Sequence, residues 1–209
     1  MKIPDHSALI LVDIQYDFLP GGALATQHGD DIIPRVNELT GHFDLTIATQ
    51  DWHPADHKSF AANHPGSEEG DVIDLNGLDQ ILWPVHCVQG SKGARFPDEL
   101  HTGSIDRIFR KGTDPEIDSY SGFFDNGHRK ATGLGDFLQG QGIKYVFIAG
   151  LATDYCVKFT ALDAVELDFE TYVIEDACRG VNLNPGDIDQ AIEDMKEKGI
   201  QIIQSTAFT

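Results

Sequence analysis

The chain has 209 residues, 34 of them acidic and 15 basic, for a formal charge of −19. That length can bury a substantial core within one domain spanning 1–209, and the acidity repels phosphate backbones and anionic membranes, so nucleic-acid and membrane partners are excluded. No uninterrupted apolar run approaches the roughly 20 residues a bilayer span needs, and three scattered cysteines, Cys87, Cys156 and Cys178, suit a reducing cytoplasm better than a disulfide framework.

Strand and helix signals alternate along the chain. Ser7 to Asp13 (SALILVD) reads as a strand, Asp31 to Phe43 as a helix interrupted near its start by Pro34, and Asp44 to Asp51 as a second strand. From Trp52 to about Ile105 the sequence is rich in Gly, Pro, His and Asn without a sustained period, which predicts a functional excursion from the regular fold. Regularity returns with a strand over Asp106 to Gly112, a short helix over Gly133 to Gly142 and an apolar strand over Ile143 to Gly150. A helix follows Cys156, a strand runs over Asp168 to Ala177, Asn184 to Gly199 forms a helix with acidic residues near its start and lysines at its end, and Ile200 to Phe208 closes as a strand. This alternation predicts an α/β fold with a mostly parallel sheet covered by helices on both faces.

In such sheets ligands collect beyond the carboxyl ends of the strands. Asp13, Asp51 and Lys111 end the first three strands and Cys156 follows the fourth by a short loop, so four chemically capable groups are expected at one rim. A helix start and a nearby lysine both favour the thiolate form of Cys156, Asp13 can take and return a proton, and the N–H groups of Ala152 and Cys156 can hold an oxyanion. Position alone would make Cys156 a small buried hydrophobe; the convergence of Asp13 and Lys111 on it shifts the reading toward chemistry. Cys87 and Cys178 read as structural. In the excursion, Asp51 and His53 lie two apart, on one side of an extended segment, and His86 comes from a distant loop. Two imidazoles and a carboxylate suit one divalent first-row ion with open coordination positions; the set accepts zinc, iron and manganese alike, and zinc is the expected ion. His57 and Ser59 lie near enough in sequence to join that shell directly or through water.

The stretches LVDIQYDFLPGGAL, TQDWHPADHKSF, LWPVHCVQG, RKG, YSGF and GLATDYCV, in this order, resemble the nicotinamidases (pyrazinamidases) of the isochorismatase-like cysteine hydrolase family over nearly the whole chain. The resemblance implies a six-stranded parallel sheet, a triad of Asp13, Lys111 and Cys156, metal ligands Asp51, His53 and His86, and a non-proline cis peptide between Leu151 and Ala152. It also implies that Phe18, Trp83 and Tyr120 pack around a substrate ring. The expected reaction is hydrolysis of nicotinamide to nicotinate and ammonia through a thioester on Cys156, in NAD salvage, with pyrazinamide as a further substrate and homo-oligomerisation compatible with the sequence. The segment RKGTDPEIDSYSGFFDNG can vary the pocket lid and so the secondary substrate range. Rival readings are hydrolysis of another small amide such as a carbamoyl compound, vinyl-ether hydrolysis, and a non-enzymatic binding protein on the same scaffold. The first leaves the Asp51, His53 and His86 cluster without work, and the second makes Cys156 superfluous.

Overall fold

In the computed structural model, which describes residues 2–208, the chain forms a six-stranded parallel sheet in the order β5-β2-β1-β6-β7-β8. Its strands are β1 (Ser7–Val12), β2 (Thr46–Asp51), β5 (Arg107–Lys111), β6 (Tyr145–Leu151), β7 (Glu170–Arg179) and β8 (Gln201–Ile203). A separate antiparallel hairpin pairs β3 (Val72–Leu75) with β4 (Leu78–Ile81). The helices are α1 (Ile33–Thr40), α2 (Leu134–Gly140), α3 (Lys158–Glu166) and α4 (Asp187–Glu197).

β1 and β6 are continuous apolar runs because both faces of the sheet are covered. Their side chains alternate between two cores. Leu9 and Leu11 face one way, against Ile33, Val36 and Leu39 of α1 and Phe147 of β6. Ala8, Ile10 and Val12 face the other, against Leu134 and Leu138 of α2, Ala161 and Ala164 of α3, and Met195 of α4. The face with one helix is completed by Cys87, Ala94 and Leu100, so the irregular segment predicted over 52–105 does packing work that a helix does elsewhere. No helix among the described residues is long and apolar enough to cross a membrane.

Several boundaries differ from expectation. The hairpin β3–β4 lies inside the segment read as irregular; its strands are four residues each and only partly buried, too short to leave a periodic signal. The last strand is three residues, and Ser205–Ala207 turns into a 3₁₀ helix. Cys156 sits inside a π turn, Thr153–Val157, before α3 begins.

Two features fix the rim where β1 and β6 end. Gly150 has φ +127°, and a Cβ there would stand 2.2 Å from the Val12 carbonyl oxygen, so the two strands approach more closely than any side chain allows. The Leu151–Ala152 peptide is cis, as the resemblance implied. Beyond it, the Ala152 carbonyl accepts the N–H groups of both Tyr155 (3.1 Å) and Val157 (3.0 Å), which winds the wider turn around Cys156.

Candidate active site

The carboxyl ends of β1, β2 and β5 lie side by side, and their last polar residues meet. Asp13 has φ +49°, an uncommon conformation that short polar side chains tolerate. It is locked there by Thr49, whose hydroxyl accepts the Asp13 N–H (3.2 Å) and donates to Asp13 Oδ1 (2.7 Å). Gln15 braces the next strand, accepting the Asp51 N–H at 2.8 Å and donating to the Asp51 carbonyl at 2.9 Å.

Lys111 reaches all of them. Its fully buried ammonium donates to Asp51 Oδ1 (2.6 Å), the Ser119 carbonyl (2.8 Å) and Cys156 Sγ (3.4 Å), and stands 2.9 Å from Asp13 Oδ2. Burial alone would depress the Lys111 pKa, but Asp13 and Asp51 overrule it and hold the ammonium charged, well above its ordinary value. Asp51 is likewise pushed up by burial, yet Lys111 and His53 hold its carboxyl well below the usual range. Asp13 goes the other way: burial outweighs the pull of Lys111 and its pKa is raised. Although close to Lys111, Asp13 Oδ2 is buried without a hydrogen bond of proper direction, so one lone pair remains to accept a proton. Oxygens of Asp13 and Asp51 and the sulfur of Cys156 lie within 4.8 Å of one another.

Helix start and lysine were to favour the thiolate, but burial pushes the Cys156 thiol well above its ordinary pKa, and Lys111 only partly opposes this while Asp13 and Asp51 reinforce it. The resting group is the neutral thiol. Cys87 and Cys178 are buried and free, and burial raises both thiols as well.

Beside this cluster, Asp51 Oδ2 faces two imidazoles, 3.5 Å from His53 Nε2 and 3.8 Å from His86 Nε2. His53 Nδ1 contacts the Gly112 carbonyl at 2.9 Å and His86 Nδ1 the Pro84 carbonyl at 2.8 Å. A carbonyl can only accept, so each Nδ1 carries a proton and each ring turns its Nε2 toward Asp51. His53 Nε2 is buried with no hydrogen-bond partner. Burial works against protonation of His53, but the Asp51 carboxylate raises its pKa, the signature of a position that attracts positive charge. Three ligand atoms within 4.8 Å, two tautomers fixed from behind and an orphaned nitrogen fit a divalent cation. Phe60 packs against all three rings of His53, His57 and His86. The His86 turn is tied down by Asp17, whose Oδ2 accepts the Cys87 N–H at 2.7 Å. His57 differs: the Ser59 N–H donates to its Nδ1 at 3.1 Å, which puts the proton on Nε2, so it presents a donor and burial lowers its pKa to about 4.

Gly112 is part of this support. Its φ is +62°, and a Cβ would stand 2.3 Å from His53 Cε1. Gly112→Ala is expected to cost about 1–2 kcal/mol for the left-handed backbone and to weaken divalent-metal affinity by about tenfold or more by displacing His53. Metal titration alongside thermal denaturation measures both; unchanged affinity would mean that His53 is held by something other than Gly112.

The pocket opening onto Cys156 is lined by Phe18, Trp83 and Tyr120, the three residues assigned to the substrate ring, together with Ala152, Asp51 and His86. Trp83 Nε1 donates to the Tyr120 hydroxyl at 3.1 Å. Sequence reasoning missed Leu24, Asp118, Tyr155 and Val181, which line the same pocket. Tyr155 closes an aromatic trio, its ring 4.9 Å from Trp83 and 5.5 Å from Tyr120; its place beside Cys156 in TDYC was a usable signal. Asp118 precedes Tyr120 by two in the segment read as a variable lid, which also supplies the Ser119 carbonyl to Lys111. A larger surface groove, along Tyr16, Ile33, Asn37 and His101, holds none of these groups.

A family model described as the isochorismatase domain matches residues 7–207. The chain is 48% identical over 196 residues to a nicotinamidase of Escherichia coli (strain K12), covering 92% of each. Among solved structures it is similar to an Acinetobacter baumanii nicotinamidase/pyrazinamidase, with a TM-score of 0.95, 48% identity and 98% of each chain covered. It is also similar to a pyrazinamidase of Pyrococcus horikoshii in complex with zinc, with a TM-score of 0.76 and 41% identity over 95% of this chain and 99% of that one.

Proposed function

We infer the reaction from a single premise: the chain belongs to the isochorismatase family, and within it this chain is an amidohydrolase that converts nicotinamide to nicotinate and ammonia. The observation that carries the assignment of roles is the position of Lys111 Nζ, in contact with Asp13, Asp51 and Cys156 Sγ at once.

Because the Cys156 thiol rests protonated, its proton leaves as the sulfur attacks the carboxamide carbon, and Asp13 Oδ2, with a free lone pair, receives it. Lys111 stays charged throughout and balances the negative charge that passes between Cys156 and Asp13. The N–H groups of Ala152 and Cys156 hold the tetrahedral oxyanion. Asp13 returns the proton to the departing amine, releasing ammonia and leaving a thioester on Cys156. Water then attacks that thioester as Asp13 takes one of its protons, the C–S bond breaks, Asp13 returns that proton to the Cys156 sulfur, and the acid leaves as nicotinate, its remaining proton passing to solvent. Phe18, Trp83 and Tyr120, joined by Tyr155, sandwich the ring.

Asp51, His53 and His86 hold the divalent ion, zinc in our reading, and the excursion over 52–105 serves as its loop. When bound there, the ion would supply an open coordination position for a ring nitrogen, a template that orients the ring more than a Lewis acid for the amide. The substrate is a small molecule of NAD salvage, handled in the cytoplasm.

Ammonia release from nicotinamide tests the reading directly. Benzamide has the same amide and ring size but no ring nitrogen, so its kcat/KM should be lower by about a hundredfold or more, since positioning accounts for several kcal/mol of barrier. Chelation should cut nicotinamide turnover and shrink that gap. A preference unchanged after verified metal loss would reassign Asp51, His53 and His86 to holding the loop.

A further inference from the structure

We propose that His128, Asp163 and Glu166 form a second divalent-cation site, at the surface, that fastens the loop after β5 to α3. Ligand atoms of the three residues lie within 4.8 Å of one another. Asp163 and Glu166 are three apart on α3 and share a face, while His128 comes from the facing loop, its Nε2 3.2 Å from Asp163 Oδ1. The imidazole is held in place: its ring stacks on Phe124 at 4.8 Å and 19°.

A surface ion pair would need no further account, but Asp163 is not a surface carboxylate. Its side chain is 7% exposed and its Oδ2 is buried with no hydrogen-bond partner. Burial raises its pKa, and the Ser121 hydroxyl and His128 only partly offset this. Ser121 and His128 engage this buried carboxylate only in part and leave Oδ2 without a well-directed donor, so, beside an imidazole and a second carboxylate, it suits a cation that engages several lone pairs together. His128 and Glu166 are exposed, so an ion can arrive from solvent. One imidazole and two carboxylates suit zinc, cobalt or manganese over calcium or magnesium, which take oxygen donors.

The two elements it would join both bear on the reaction. The loop carries Tyr120 and the Ser119 carbonyl that accepts from Lys111, and α3 continues from the turn that holds Cys156. An ion there would clip this loop to α3.

The test is equilibrium dialysis of the full chain against micromolar zinc, with metal content measured per chain. The wild type should hold two equivalents, and His128→Ala and Glu166→Gln one each, both variants remaining folded by circular dichroism and still hydrolysing nicotinamide. The zinc-induced rise in Tm should also be smaller in both variants. A wild type with one equivalent that is lost in His53→Ala but kept in His128→Ala overturns this proposal and leaves the buried site intact. Two equivalents retained in both His128→Ala and Glu166→Gln also overturn it.

Discussion

Cys156→Ala is expected to lower kcat by about four orders of magnitude or more, the scale on which a covalent nucleophile's loss is felt. The fold should survive, because removing one sulfur from a buried position costs about 1 kcal/mol, and Lys111 keeps its three oxygen partners. Metal content should be unchanged, since neither His53 nor His86 touches the sulfur through any hydrogen bond. Kinetics, circular dichroism and metal analysis on one preparation separate these outcomes. Mass spectrometry of wild-type protein quenched during turnover should find a nicotinoyl adduct on Cys156. A fully active Cys156→Ala protein would remove the thioester from the mechanism.

Lys111→Met should be damaging twice over. It keeps most of the stem volume but deletes the charge that stands 2.6 Å from Asp51 Oδ1 and 2.9 Å from Asp13 Oδ2. Two fully buried carboxylates would then lack their counter-ion, a loss of about 3–5 kcal/mol, which in a chain of this size lowers Tm by roughly 10 °C. Activity should fall by about a hundredfold or more. The pH dependence distinguishes charge from packing. Without Lys111 the folded-state pKa of at least one carboxylate rises above its unfolded value, so the folded state binds more protons and stability falls as pH rises from the ordinary carboxylate range through the raised folded pKa. The deficit should therefore shrink toward low pH, whereas a packing defect would persist. A variant as stable as wild type at neutral pH would show that the ammonium is not what holds the two carboxylates together.

Much of this arrangement is legible in the sequence because strand ends are legible. β1 and β6 are apolar runs that stop at Asp13 and just before Ala152, and a parallel sheet brings such ends together without any knowledge of side-chain contacts. Asp51, His53 and His86 were visible as a set of metal-binding side chains, and the structure gathers them. The protonation state of Cys156 was not visible: a motif shows a helix start and a lysine, but burial, the largest influence on the thiol, is a property of the closed structure. Asp118 escaped for a related reason. It sits in a loop rich in Gly, Pro and Asp, and only the three-dimensional path brings it to the wall that Trp83 and Tyr155 share. The hairpin β3–β4 escaped because strands of four residues carry no alternation long enough to read.

β6 lies between β1 and β7, so β1 gains one of its two neighbours only when Tyr145–Leu151 has been made. A nascent chain that stops short of it already holds Asp13 and Lys111 but leaves Ala8 to Val12, an uncharged apolar strand, with an open edge. Such edges recruit strands from other copies, and pairings so distant in sequence close slowly. The reaction centre thus comes into being only when β6 and the turn that carries Cys156 dock on β1, and until then that strand edge is open to pairing with other copies.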